Sequence, residues 1–350
     1  MLGRTAGGIY WMFRYLERAE NIARLIEAGF RIALTRSSGS DTEWNSVVTT
    51  AGVEPGYVAK YDAFTAPFVS DFLLRDPENP SSVVSIIGKA RDNARMVRTA
   101  LTTEVWEAVN ETWMTLTAVL ELPVRETELP AVLGTIRQQS ALVRGALHGT
   151  MLRNDIYDFA RIGTFIERGD NTSRILDVKY YTLLPSPSFV GSSLDNVQWE
   201  TILRSVSAEG GYRITYGQDV RPRAIAEFLI LDRRMPRSLT FCTAKIRDNL
   251  NYLASDYGQR LESHDLAERL VTTFSTPGMD AIFGQGLFRP ARQVVALALG
   301  PLVLITAGVS GFAALAEAGK LLAAVEDDRL FGHRITRKLA ELGGKRRKLR

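Results

Sequence analysis

The sequence predicts an all-α protein, a helical bundle with an internal duplication of a multi-helix unit. Apolar residues recur at steps of three and four over long stretches, which is the period of an amphipathic helix. Runs that alternate apolar and polar residues, as half-buried strands require, are not found. Two motifs recur in the same order after about 150 residues, which indicates a repeated unit.

The first predicted helix runs from Ile9 to Phe30, with no proline to interrupt it. Its apolar face consists of Met12, Leu16, Ala19, Ala23, Ile26 and Phe30. Its polar face consists of Glu17, Glu20, Asn21, Arg24, Glu27 and Arg31.

The same periodicity predicts eight further helices along the chain. They are Val83 to Leu101, Thr103 to Leu120, Leu129 to Gly149, Ile156 to Leu183, Asp195 to Val206, Ala224 to Leu231, Ser238 to Ser255 and Asp265 to Phe274. Clusters of Ser, Gly, Asp and Pro at 37–40, 76–80 and 185–188 predict loops, and the last is the clearest internal linker.

The first repeated motif aligns residues 15–27 with residues 165–177. Four aligned pairs are identical: Glu17 and Glu167, Arg18 and Arg168, Asn21 and Asn171, Arg24 and Arg174. The acidic residues Glu20 and Asp170 are also aligned. The repeat predicts that these ten residues share one role in both copies.

The second repeated motif aligns residues 72–93 with residues 228–249, and nine of 22 positions match. Unrelated sequences of average composition would share about one or two. We predict that Pro80 and Pro236 stand in the first turn of a helix, and that Asp76 and Asp232 bond the preceding turn. The polar residues that follow are predicted to pair between helices and fix their register: Lys89, Arg91, Asp92, Asn93, Lys245, Arg247, Asp248 and Asn249. The two copies of the unit cover about 5–125 and 155–275.

The first motif has three interpretations. Glu20 with Arg24, and Asp170 with Arg174, are i,i+4 pairs, which on a solvated face contribute only about 0.3–0.5 kcal/mol each. If the two copies face each other, they form a buried polar seam, which is costly unless every member is paired. A ligand or catalytic site within that seam is the third interpretation.

Composition excludes several classes of site. A single cysteine, Cys242, excludes a disulfide framework and a cysteine-based metal cluster, and its apolar surroundings predict a buried thiol. No phosphate-binding glycine loop and no paired Glu-x-x-His motif are found. We therefore predict no metal site and no cofactor. The lone cysteine, and the lack of a signal-peptide pattern in Met1 to Phe13, favour the cytoplasm.

The positive charge is concentrated near the end of the sequence. The net charge is +4, but residues 332–350 hold eight basic residues and one acid, so the rest sums to −3. Aromatic residues are not interleaved with this basic segment, and we predict no nucleic-acid partner. Before it, Val294 to Ala316 is 23 residues without a charge. That run is either a membrane span or a pair of buried helices broken at Gly300 and Pro301.

Several motifs together resemble the bacterial alpha-E family. They are Tyr10-Trp11, the run Arg14 to Asn21, Asn79 to Ser82, Ala90 to Arg95, Met151 to Asp155, Arg161, Glu167-Arg168, Arg221-Pro222, Glu227 to Asp232, Pro236 to Ser238 and Ile282 to Leu287. The resemblance covers residues 1–287 and implies an all-helical domain with a recurrent Glu-Arg motif. Residues 288–350 depart from the family pattern. They are either a genuine extension of the domain or the product of a shifted reading frame.

The resemblance also implies partners. Members of that family are encoded beside, or fused to, circularly permuted ATP-grasp proteins and transglutaminase-like proteins. It therefore implies a part in forming or remodelling peptide-type amide bonds, with nucleotide binding left to the ATP-grasp protein. Our first hypothesis is a non-catalytic accessory subunit without catalytic residues of its own. Its Glu/Arg/Asn seam is either structural or binds a peptide or carboxylate through Arg18, Arg24, Arg168 and Arg174.

Two other hypotheses stay open at this stage. In the enzyme hypothesis, the Glu/Arg face is an active site in which Glu17 or Glu167 is the general base and arginines stabilise an oxyanion. Arginines beside a carboxylate lower its pKa and make it a poorer base, which disfavours this hypothesis. In the second, residues 294–316 anchor a membrane-tethered adaptor.

Overall fold

The computed structural model describes residues 3–35, 41–181 and 193–275. Within these ranges the chain forms α-helices and one short 3-10 turn, Arg98–Ala100, and no strand, so the all-α prediction is confirmed. The helices are α1 (Gly3–Thr35), α2 (Asp41–Ala51), α3 (Glu54–Val58), α4 (Ala66–Leu74), α5 (Val83–Met96), α6 (Thr103–Val119), α7 (Leu129–Thr150), α8 (Asp155–Tyr181), α9 (Ser193–Ser205), α10 (Glu209–Tyr216), α11 (Pro222–Leu231), α12 (Leu239–Tyr257) and α13 (Glu262–Ser275).

All nine predicted helices are present, but their ends differ in places. The predicted helix Val83 to Leu101 ends at Met96, where the chain tightens into the 3-10 turn. Four helices, α2, α3, α4 and α10, were not predicted. They have between 5 and 11 residues, and helices this short take most of their stability from packing rather than from their own sequence.

Helix α1 lies at the centre of the described structure. It packs most extensively on α8 and also contacts α2, α5, α7 and α9. Five of the six residues of the predicted apolar face are buried, with Met12, Ala23 and Ile26 wholly inaccessible, and Phe30 is partly buried. Because neighbours cover α1 on several sides, its polar residues Glu17 and Glu20 are buried as well. A surface helix would have left that face in water.

Two hydrophobic cores lie within the described residues, one on each side of α1. The first includes Trp44 and Tyr57 and is built by α1 to α8. The second includes Phe165 and Tyr212 and is built mainly by α8 to α13. Tyr10 of α1 belongs to the second core, although most of α1 faces the first. Helix α1 therefore joins the two cores.

The turns before α5 and α12 have the predicted aspartate bonds. The backbone N–H of Glu78 donates to Oδ1 of Asp76 at 2.9 Å. The N–H of Arg234 donates to Oδ1 of Asp232 at 2.7 Å. In each turn the carboxylate bonds the backbone two residues further on, as in an Asx turn.

The predicted place of the two prolines is wrong. Each helix begins after a serine cap two residues beyond the proline: the N–H of Ser85 donates to Ser82 Oγ, and that of Phe241 donates to Ser238 Oγ. A serine hydroxyl supplies the bond that the first turn lacks, so the helix begins at the serine. The two aligned segments thus have the same local structure, while duplication of a whole unit stays a prediction.

No helix within the described ranges is both long and apolar enough to cross a membrane. The run from Val294 to Ala316, the predicted linker at 185–188 and the whole of 288–350 lie outside the described residues.

Helices α1 and α8 approach each other closely at Gly163. A Cβ added there would lie 2.4 Å from the backbone oxygen of Tyr10, which no side chain tolerates. Further along, Arg14 bonds Glu167 and Glu17 bonds Arg168. Residue numbers rise together on both helices, so α1 and α8 run in the same general direction through this contact.

Replacing Gly163 by alanine should therefore destabilise the protein. Alanine favours a helix over glycine by about 1 kcal/mol, but the clash with backbone should cost about 1–3 kcal/mol more than that gain. Urea unfolding measures the change. Gly145 on α7 is the matched control, because an added Cβ there meets no atom within 4 Å. Gly145→Ala should gain about 0.5–1 kcal/mol, and an equal gain at Gly163 would show that the two helices are not in close contact.

Candidate functional site

The Glu17 carboxylate on α1 is buried and is bound by arginines from elsewhere in the chain. Arg168 on α8 donates from Nε to Oε1 at 2.9 Å and from Nη2 to Oε2 at 2.8 Å. Arg237, which lies just before α12, places Nη1 3.0 Å from Oε1. Both oxygens of Glu17 are therefore engaged.

Glu20, one turn further along α1, is held in the same way. Arg24 donates to its Oε1 from Nε at 3.0 Å and from Nη2 at 2.6 Å, which confirms the predicted i,i+4 pair. Arg237 donates to Oε1 from Nη2 at 2.9 Å, and Arg144 on α7 pairs with Oε2. The amide oxygen of Asn21 accepts from Arg237 at 2.9 Å. We call this group the Glu17 cluster: Glu17, Glu20, Asn21, Arg24, Arg144, Arg168 and Arg237.

A second group forms around Glu167 on α8. Arg14 donates from Nε to Oε2 at 2.8 Å, and Arg18 donates to both oxygens at 2.6 and 2.9 Å. Asp170 accepts from Arg174 at 3.0 Å, the other predicted i,i+4 pair. We call this group the Glu167 cluster: Arg14, Arg18, Glu167, Asp170 and Arg174.

The two copies of the Glu-Arg motif bind each other. Glu17 is bound by Arg168, and Arg18 binds Glu167, so the glutamate of each copy pairs with the arginine of the other. Both bonds join α1 to α8 in the register set by the close approach at Gly163. Arg–carboxylate pairs with two parallel bonds are strong and directional, so this exchange fixes how the two helices meet.

The arginines keep both motif glutamates ionised. Burial alone would raise the pKa of Glu17, but the charges of Arg168 and Arg237 outweigh it and lower that pKa far below its ordinary value. Burial likewise opposes ionisation of Glu167, yet Arg14 and Arg18 lower its pKa to about 2. At neutral pH neither carboxylate has the affinity for a proton that a general base needs.

Positive charge is in surplus in both clusters. Two carboxylates face four arginines in the Glu17 cluster, and two face three in the Glu167 cluster. Burial lowers the pKa of Arg237, and the attraction of Glu17 offsets only part of this effect. Removing Glu17 would leave the buried guanidinium of Arg168 without its paired carboxylate, and removing Glu167 would do the same to Arg14.

Nine of the ten residues predicted for the polar seam lie in these clusters. The exception is Asn171, whose amide nitrogen is buried without a hydrogen-bond partner among the described residues. One oxygen of Asp170 is in the same state. For the Asp170 oxygen the second repeat suggests why, because its alignment places Ser81 where the first cluster has Arg237, which donates to Glu20. The Glu167 cluster thus lacks an arginine in the corresponding place. The amide nitrogen of Asn21 is also without a partner among the described residues, and an arginine has no acceptor to offer either amide.

Not every predicted arginine is placed to bind a ligand. Arg168 is buried and directs two nitrogen atoms at Glu17, so it is a structural partner. Arg18 and Arg174 are also paired, but their side chains remain 27% and 43% exposed. Arg24 reaches from Glu20 to the hydroxyl of Ser207 and lies at the edge of a cavity.

Three arginines of the clusters were missed from the sequence. Arg14 directly precedes the motif and begins one of the family-like runs, but Thr164 stands at the aligned position, so the repeat gave no sign of its role. Arg144 lies in another predicted helix. Arg237 was part of a family motif, yet it acts on Asn21 across 216 residues of chain, which spacing alone does not reveal.

The polar residues in the later part of the second repeated motif lie apart from these clusters and fulfil their predicted role in part. Arg91 on α5 donates to Asn110 on α6 at 2.8 Å, and Arg247 on α12 lies 3.9 Å from Glu268 on α13. These two contacts join neighbouring helices. The lysines act locally instead: Lys89 donates to the Pro80 carbonyl oxygen at 2.9 Å. In the second copy, Lys245 pairs with Asp248 on the same helix, α12.

Asn249 likewise bonds within α12, where its amide nitrogen donates to a carbonyl oxygen one turn earlier. Asp92 is exposed and Asn93 half-buried. The backbone carbonyl of Asn93 accepts from Val97 at the end of α5. Among the predicted polar residues, the two arginines make the described contacts between helices, Arg91 from α5 to α6 and Arg247 from α12 to α13.

Cys242 is buried, as predicted. Burial raises the pKa of its thiol to about 12, so the thiol is not a nucleophile at neutral pH. Within the described ranges, no three His, Cys, Asp or Glu side chains are grouped as metal ligands.

The family model named Alpha-E, described as a predicted alpha-helical domain with a conserved ER motif, matches residues 1–298. Two similar proteins are Uncharacterized protein Mb2597 of Mycobacterium bovis and Uncharacterized protein Rv2567 of Mycobacterium tuberculosis, each 24% identical over 294 residues. These matches cover 78% of this chain and 32% of each relative, so the chain spans about a third of the length of the curated relatives it matches. No solved structure matches the chain.

Proposed function

Because the chain belongs to the Alpha-E family, we propose that it is a non-catalytic helical subunit that works beside an ATP-grasp protein in forming or remodelling peptide-type amide bonds. The ATP-grasp protein supplies nucleotide binding and the ligation chemistry. A transglutaminase-like protein is a second partner of the same system. The cytoplasm, favoured by the lone cysteine, is the location that goes with this proposal.

The non-catalytic part of the proposal rests on the two motif glutamates, whose carboxylate oxygens are already bound by arginines. Glu17 and Glu167 are buried, ionised and bound by arginines from two directions. A catalytic carboxylate needs an unshared oxygen near the substrate and a pKa near the working pH. These two have neither, and their bonds join α1 to α8. The motif is therefore better suited to holding two helices together than to proton transfer.

The lengths of the relatives support the accessory part. The matched region makes up 32% of the mycobacterial proteins, so there it belongs to a much longer polypeptide. A domain that occurs within longer chains fits a component that works with others. The family resemblance supplies the chemical identity of the partner, an ATP-grasp protein.

Affinity purification tests the partnership. The full chain, tagged and expressed in its native cell, should recover a protein with an ATP-grasp sequence in a constant ratio across gel filtration. Glu128→Gln, which alters an exposed ion pair with Arg125, is the control and should recover the same partner. Recovery of the folded chain without any ATP-grasp protein would contradict the proposal.

Turnover of the recovered complex tests the non-catalytic role. The assay is run at low temperature, so that the destabilised Glu17→Gln variant stays folded. The complex that contains this variant should consume ATP within about twofold of the wild-type rate. Removal of a general base lowers rates by about 10²–10⁴-fold. A loss of that size in a variant whose circular dichroism is unchanged would support the enzyme hypothesis instead.

A further inference from the structure

A cavity of about 500 Å³ opens beside the Glu17 cluster. It lies between α1, α7 and the segment from the end of α9 to the start of α10. That volume lies within the range of small-molecule sites and is far larger than a single ion needs. The cavity plays no part in the function proposed above.

The wall of the cavity is rich in arginine. Four guanidinium groups line it, against two carboxylates, Glu27 and Glu209. The four are Arg24, Arg31, Arg137 and Arg204. The wall thus has a surplus of two positive charges. Each carboxylate is shared by two arginines, Glu27 by Arg31 and Arg137, and Glu209 by Arg204 and Arg213.

These ion pairs are accessible, unlike those of the Glu17 cluster. The side chains of Arg137, Arg204 and Arg31 are 29%, 39% and 56% exposed. Pairs in contact with water are weak, so an incoming anion competes for their N–H groups at little cost. Burial, followed by the nearby charge of Arg24, lowers the pKa of Arg137, and a bound anion would relieve that repulsion.

The start of α10 adds hydrogen-bond donors to the same wall. Ser207 has a positive φ of 52°, the only such residue other than glycine in the described ranges, and it turns the chain sharply from α9 into α10. The cap residue of α10 is Ala208, which provides no side-chain bond. Gly210 in the first turn lines the cavity, and a Cβ added there would meet no atom within 4 Å. The first N–H groups of a helix have no partner within it and favour anions.

We propose that this cavity binds a small ligand through carboxylate or phosphate groups that bring about two negative charges. Four arginines provide the charge and the forked donors that match such oxyanions. The uncapped start of α10 provides further N–H groups. Arg24 bonds Glu20 through two nitrogens and Ser207 through the third, so it connects the ligand cavity to the Glu17 cluster.

Calorimetric titration of the full chain at low salt tests the proposal. The probes are inorganic phosphate and glutarate, a dicarboxylate, with glutaramide as the uncharged analogue. We expect one equivalent of phosphate or of glutarate to bind, with no heat from glutaramide. Binding of phosphate alone would identify a phosphoryl ligand, and binding of glutarate alone a carboxylate ligand. Absence of saturable binding by both anions would overturn the proposal.

Two variants locate the bound anion. Arg137→Gln removes one guanidinium and should weaken binding at least tenfold. Gly210→Glu places a carboxylate in the open space of the cavity, where an acid in the first turn also favours the helix, and should abolish binding without loss of stability. Gly145→Glu on α7 makes the same change of charge elsewhere and should bind within twofold of wild type. Unchanged binding by Arg137→Gln and Gly210→Glu would show that the anion binds elsewhere and would overturn the proposal.

Discussion

Replacing Glu17 by glutamine is expected to lower the free energy of unfolding by about 3–5 kcal/mol, the usual loss when one partner of a buried ion pair is removed. The substitution keeps the shape of the side chain but removes its charge. Arg168 and Arg237 would remain buried, with only Glu20 left to offset them. Urea unfolding followed by circular dichroism measures the change.

The same argument holds for Glu167, whose loss would strand Arg14 and Arg18. The double variant Glu17→Gln/Glu167→Gln should lose most of the stability that a domain of this kind has, about 5–15 kcal/mol in all, and should fail to fold at 37 °C. Glu128→Gln, on an exposed pair, should leave the unfolding midpoint unchanged.

A double-mutant cycle separates the effect of an unpaired charge on stability from the effect of altered side-chain packing. Glu17→Met with Arg168→Met removes both charges, so it should lose less stability than Glu17→Gln alone. A loss below about 1 kcal/mol in Glu17→Gln would show that the Glu17 cluster is solvated, and the structural role of the motif would be wrong.

The fold class could be predicted because long helices show their period directly. Helices such as α7 and α12 have at least three turns of regular spacing, and their predicted ends lie within two residues of the observed ones. Helix α1 was also predicted, but it begins six residues earlier and ends five residues later than its apolar spacing indicated. Helices α2 and α4 were not predicted because contacts with the rest of the fold stabilise them, and a local sequence of about ten residues does not reveal such contacts. Helices α5 and α12 begin at a serine cap, two residues after the proline that we predicted to stand in their first turn.

The candidate site could be predicted only as far as the repeat extended. Repetition singled out Glu17 and Arg18 with their counterparts, and the cost of burying them indicated that they would need partners. Two features of the site depend on which helices meet in space. One is that each motif glutamate pairs with the arginine of the other copy, and the other is that Arg237 binds Glu17 and Glu20. The cavity beside Arg24 is formed by residues that share no motif, so sequence spacing held no sign of it.

The stability of the protein should fall steeply as the pH is lowered from about 4.5 to about 2. Glu17, Glu20 and Glu167 all have a lowered pKa in the folded state, so they stabilise the fold above the unfolded value of 4.5 and lose that contribution as pH falls through the folded value. For Glu167, from 4.5 to about 2, the full contribution is roughly 3 kcal/mol. Urea unfolding at a series of pH values measures the loss, which for Glu167 alone should reach about 2 kcal/mol near pH 3, with Glu17 and Glu20 adding to it in the same direction.

Asp158 supplies a contrast of opposite sign. Burial, with Asp256 and Asp155 nearby, raises its pKa to about 6, so this group destabilises the fold at neutral pH and stops doing so as the pH falls toward 3.8. Burial and neighbouring arginines lower the pKa of His148 to about 4, so that group loses stability over the same range and masks the gain from Asp158. The Asp158 contribution is therefore measured as a difference: the stability of the wild type relative to Asp158→Asn should rise as the pH falls from 7 to 5. Glu167→Gln should make the steep fall at lower pH shallower by about one proton. A flat profile from pH 4.5 to 3 in the wild type would mean that the motif glutamates titrate as they do in water and that the arginines do not hold them.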